Sequence, residues 1–142
     1  MLLSQIFVSL LPVWLAASSR PELIPARNLL ASGEELSATL SGPLPSGAVV
    51  PSCHPLRVER FNEEAQRWQL VPDLECTGSE PAVPLGPEMQ LVTRVHLDRF
   101  GIVRLVLVYG LGCREGLSLE KAGCASIEAI SSTNLSVQVP TK

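Results

Sequence analysis

Scattered prolines and glycines constrain this chain more than any other feature. Twelve prolines and ten glycines are spread along the sequence rather than gathered in tandem. They interrupt helical periods through most of the chain beyond its apolar start, and strands and turns are what remain. The start itself is different. MLLSQIFVSLLPVWLAA is almost wholly apolar, ends in small residues and passes directly into Ser18, Ser19, Arg20 and Pro21. That is the form of a secretory signal peptide, with cleavage after Ala17 or Ser18. An uncleaved anchor is the competing reading, but about 17 apolar residues broken by Pro12 reach only the short limit for spanning a bilayer. The expected organisation is therefore a signal peptide over residues 1–18, an extended N-terminal segment over 19–34 and one domain over 35–142.

Charged residues make up 18% of the 142 residues, the net charge is -3, and no run of like charge occurs. A polyanion-binding footprint is missing, so nucleic acid is not an expected partner. No second segment approaches the ~20 apolar residues of a membrane helix, and residues 137–142 lack the hydrophobic end of a lipid-anchor signal. The expected location is secreted or extracellular, or the cell surface if the chain is the ectodomain of a longer single-pass protein.

Strand signals recur at close spacing. Residues 89–98 and 102–109 read as a hairpin closed by Arg99, Phe100 and Gly101, which sets Leu91, Thr93, Val95 and Leu97 on the side of Val103, Leu105, Leu107 and Tyr109. The second of these strands is apolar on nearly both faces and is expected at the centre of its sheet. Residues 56–61 and 67–71 read as another hairpin, with Trp68 and Leu70 on a dry face, Gln69 on a wet one and the polar stretch 62–66 as its tip. Residues 134–139 alternate as a half-buried strand. Shorter candidates lie at 35–41, 48–50, 81–85 and 125–130. Seven or eight such strands predict an all-β, antiparallel sandwich of immunoglobulin-like or fibronectin-like architecture, stabilised by disulfides. Cys53 and Cys76 stand too close in sequence to enclose the several strands that an antibody-type bridge normally spans.

Four cysteines in an exported chain imply two bridges, and three connectivities are open. The preferred pairs are Cys53 with Cys76, at the outer ends of the 56–71 hairpin, and Cys113 with Cys124, closing the loop between them. The competing zinc reading uses four thiolates with no close CxxC pair, so no metal or cofactor is expected.

The first hairpin also places Val92, Arg94 and His96 beside Arg104, Val106 and Val108 on one outer face. Such a mixture of apolar and basic side chains is a candidate partner-binding surface. Cover by another segment, such as the proline-rich stretch before Glu88, is the preferred alternative. His96 and Asp98 share that face at a spacing of two, which allows an acid–base pair, but charges pairing across strands explain them as well. No nucleophile elbow surrounds any serine. The G-x-G of Gly110 and Gly112 has no following helix to complete a phosphate site and reads as a strand exit. Asn134-Leu135-Ser136 is an N-glycosylation sequon with Asn134 expected to point outward.

The leading expectation is a non-enzymatic extracellular module that binds another extracellular or cell-surface protein. A secreted carrier with a small apolar cavity is the alternative, and a hydrolase centred on His96 and Asp98 the remote one.

Overall fold

Apolar side chains alternating with polar ones divide a strand between a dry and a wet face. In the computed structural model of the protein, which describes residues 20–86 and 89–140, the dry faces of two sheets meet in one core. The expected leader and its cleavage point lie outside the described residues. In chain order the strands are β1 (Leu23–Pro25), β2 (Leu29–Ala31), β3 (Glu35–Leu40), β4 (Val49–Pro51), β5 (Leu56–Asn62), β6 (Arg67–Val71), β7 (Ala82–Pro84), β8 (Val92–Arg94), β9 (Gly101–Leu111), β10 (Ser126–Ser131) and β11 (Leu135–Gln138). No helix forms among the described residues.

Strands β1, β3 and β8 make a three-stranded antiparallel sheet with β3 in the middle. The other eight assemble around β9, the longest, whose apolar residues on both faces suit a position with neighbours on either side. Along one side run β10 and then β11. Ser131 lies opposite Val106 and Leu135 opposite Val103, so residues 132–134 face only residues 104 and 105. One extra residue on one strand is a bulge. Ser132 holds it closed, its backbone N–H donating to the Leu105 carbonyl at 2.8 Å and its Oγ accepting from the Leu105 N–H at 2.9 Å. Beyond β11, β2 adds in parallel. Along the other side β5 carries β6, while β4 meets β9 at Gly110 and carries β7.

Leu36, Leu91 and Val95 enter the core from β3 and from the residues that flank β8. Val50, Leu56, Val58, Val103, Leu105, Leu107, Leu135 and Val137 enter from the larger. Full burial of each such side chain stabilises the fold by about 1.5–3 kcal/mol.

Three expectations are corrected. The hairpin across residues 99–101 does not form: β8 is only Val92–Arg94 and pairs with β3, while β9 pairs with β4, β5, β10 and β11. Leu91 and Val95 do share a core with Val103, Leu105 and Leu107, but as facing layers rather than as neighbours in one sheet. Alternation reports which face is dry and is silent on which strand lies alongside. The second hairpin forms with the expected ends, yet its faces are inverted. Val58 lies opposite Val71 and both turn to the core, which sends Trp68 and Leu70 outward and leaves Leu70 57% exposed. Finally, the segment 19–34 contributes β1 to one sheet and β2 to the other, so strands outnumber the seven or eight expected.

The outward side of β9 is covered over part of its length. Val106 and Val108 are 4% and 8% exposed because Leu119, in the loop closed by Cys113–Cys124, lies over them with Ala82 at the margin. Cover was expected from the proline-rich stretch before Glu88; the disulfide loop supplies most of it. Gly110 has the reason for its identity here. A Cβ at that position would stand 2.6 Å from Cys113 Sγ and 2.8 Å from Cys124 Sγ, so only glycine lets the bridge rest on the strand.

Candidate functional site

What the loop leaves uncovered is the other half of the same outward face, across β9, β5 and β6. Register builds it in rows. Arg104, Glu59 and Leu70 lie opposite one another in turn, and Phe61 lies opposite Trp68 in the next row. Farther across, Ile102 lies opposite Ser136, and Ser136 opposite the exposed Leu29 of β2.

Aromatic and charged groups here hold one another in place. Phe61 and Trp68 meet edge to face with ring centroids 5.3 Å apart. The Arg104 guanidinium stands 4.3 Å from the Trp68 ring centroid. Glu59 fixes it there, Oε1 accepting from Nε at 2.7 Å with the terminal nitrogen also at 2.7 Å. Both side chains of this ion pair remain about a quarter exposed, so pair and cation–π contact are each worth on the order of 0.5–1 kcal/mol. Their larger effect is geometric: a flexible arginine and a tryptophan become one rigid platform with Leu70 projecting beside it. Arg57, next along β5, is exposed and has no ion-pair partner among the described residues.

Leu70 also borders a concavity of about 380 Å³ at the sheet edge, shared with Arg60, Gln69, His96, Leu97 and Asp98. His96 and Asp98 are therefore neighbours in a cleft, but no hydrogen bond joins them among the described residues. Asp98 is 86% exposed and faces Arg60 at 3.6 Å, while the His96 ring lies over Gly33.

The expected six-residue face is divided by the fold. Val92 and Arg94 belong to the smaller sheet, where Arg94 faces Glu35 at 3.4 Å and donates to the Gly33 carbonyl. Arg104, Val106 and Val108 belong to β9 in the larger sheet, the two valines beneath Leu119. Only Arg104 enters the platform. Glu59, Phe61, Trp68 and Leu70 were not expected there, although a Trp two residues from a Leu on an edge hairpin carried the signal. Which side of that hairpin faces water depends on the partner of β5, and sequence spacing does not name it.

All four cysteines are bonded, Cys53 with Cys76 and Cys113 with Cys124, in the preferred pairing. Asn134 is exposed and sits in the bulge between β10 and β11. Leu105 and Leu107 have no accessible surface. An open groove of about 930 Å³ lies elsewhere, between β3 and the segments 42–48, 84–86 and 89–92, with Leu40, Leu44, Leu85 and Met89 on its walls. No helix among the described residues is long and apolar enough to cross a membrane. Comparison with family models, with curated proteins and with solved structures finds no match.

Proposed function

We propose that this chain is a non-enzymatic extracellular recognition module which binds another extracellular or cell-surface protein through the Trp68–Arg104 platform. One observation carries the reading: an aromatic pair, a braced arginine and an exposed leucine share a sheet face that nothing in the described chain covers. Trp and Arg are enriched among residues that dominate binding energy, and groups already held in position lose little conformational freedom on association. Arg57 on the same face calls for an acidic group on the partner.

The scaffold is read as an immunoglobulin-like or fibronectin-like sandwich, supported by two sheets, antiparallel except where β2 joins β11, around a single core. Two disulfides in a small all-β chain suit an oxidising compartment, and the exposed Asn134 suits a glycan added during export.

The test is binding of the labelled, secreted domain to a panel of displayed extracellular proteins. Trp68→Ala and Arg104→Ala are each expected to reduce binding at least tenfold, a typical loss for a central contact. Arg94→Ala, on the opposite sheet, is expected to leave it unchanged. A partner lost with Arg94→Ala and retained by both platform variants would overturn the assignment.

A further inference from the structure

At the base of the β5–β6 hairpin, chemistry gathers that the platform does not use. Cys53 and Cys76 flank it, and His54 stands between them and two carboxylates. A ring nitrogen of His54 and the two sulfurs lie within 4.8 Å of one another. Nδ1 of His54 is 2.5 Å from Asp73 Oδ2, and Nε2 is 3.5 Å from Glu75 Oε2. Asp73 Oδ2 is also 3.6 Å from Cys76 Sγ. Cys53, His54 and Cys76 are half-buried and both carboxylates exposed, so ions and reductants can reach the group.

We propose that these residues form a zinc site whenever the Cys53–Cys76 bridge is reduced, so that the same hairpin base is closed by a disulfide under oxidising conditions and by a metal under reducing ones. Reduction by a thiol pair breaks the S–S bond, the cysteines gaining two electrons and two protons while the reductant becomes a disulfide. Zinc then displaces both thiol protons. Tetrahedral zinc holds two thiolates about 3.8 Å apart at a Zn–S distance near 2.3 Å, and the Cα atoms of Cys53 and Cys76 stand 6.0 Å apart. Two thiolates, an imidazole and a carboxylate are the donor set that prefers zinc over harder ions. Because each His54 nitrogen faces a carboxylate, whichever nitrogen takes the metal leaves the other oriented by an acidic partner, the arrangement that fixes metal-bound histidines. The Cys113–Cys124 pair offers no such set: Gly110 and Leu119 surround its sulfurs.

The probes are zinc and cobalt(II), added to the whole secreted protein after treatment with a phosphine. The phosphine takes oxygen from water as it reduces the disulfides and does not compete for the metal as a dithiol would. Native mass spectrometry is expected to show one zinc per chain. Cobalt is expected to give thiolate charge-transfer absorption and the intense visible bands of a tetrahedral centre. Cys113→Ser/Cys124→Ser is expected to keep both signals, and Cys53→Ser/Cys76→Ser to lose them. His54→Ala and Asp73→Asn leave both bridges able to form, so their folding can be checked in the oxidised state; each is expected to weaken zinc binding tenfold or more. Absence of zinc from the reduced wild type would overturn the proposal. So would zinc binding that His54→Ala and Asp73→Asn leave unchanged, since an unfolded dithiol chain would behave that way.

Discussion

Two residues on β9 show how tightly single positions are specified. Gly110 carries the Cys113–Cys124 bridge against its own backbone, so Gly110→Ala is expected to lower stability by about 1–3 kcal/mol through overpacking. Gly86, with open space around it and no left-handed backbone, should accept alanine without a change in Tm; thermal unfolding of the two variants makes the comparison. Tyr109 donates its O–H to Glu128 Oε2, and that hydrogen bond, with desolvation and the carboxylate charge adding to it, raises the phenol above its ordinary value of 10.0. The folded protein thus holds the phenolic proton where the unfolded chain releases it. This contribution to stability is complete below about pH 10 and is lost as pH rises through the folded value. Tyr109 is the sole tyrosine, so absorbance at the phenolate band reads it alone. The midpoint should exceed the ordinary value in the native protein and fall toward it in Glu128→Gln.

At the scale of elements, the β10–β11 bulge stands out because it does two things at once. It carries the chain past Leu105 with that residue's backbone groups satisfied by Ser132, and it turns Asn134 into solvent. Ser132→Ala would leave the buried Leu105 N–H without its partner, a loss expected to cost about 1–3 kcal/mol in denaturant unfolding. Thr133→Ala, an exposed neighbour within the bulge, should cost far less. The β5–β6 hairpin illustrates the limit of reading one element alone. Its ends and its turn at 63–66 were legible from alternation and from the polar stretch, whereas its orientation was decided by β9, which draws Leu56 and Val58 inward.

For the molecule as a whole, stability rests on a shared core and two cross-links. The 113–124 bridge has a second effect besides restricting the unfolded chain, because its loop keeps Leu119 over Val106 and Val108. Cys113→Ser/Cys124→Ser is expected to destabilise by about 3 kcal/mol, the scale for closing a short loop, and to expose an apolar strip. Binding of a hydrophobic dye to the folded variant should rise above wild type. Equal dye binding would show that Leu119 holds its place without the bridge.

The linear chain by itself determined the all-β character, the central position of β9 and the ends of the β5–β6 hairpin, and it favoured the cysteine pairing that forms. Each follows from local periodicity, turn residues or short loop closure, which neighbours in sequence suffice to express. Only the tertiary structure decided that β8 leaves β9 for β3, that Trp68 faces water beside Arg104, and that Val106 and Val108 lie beneath a loop. These depend on which dry face meets which across the core. Many pairings of similar strands bury comparable apolar area, and packing in three dimensions selects among them.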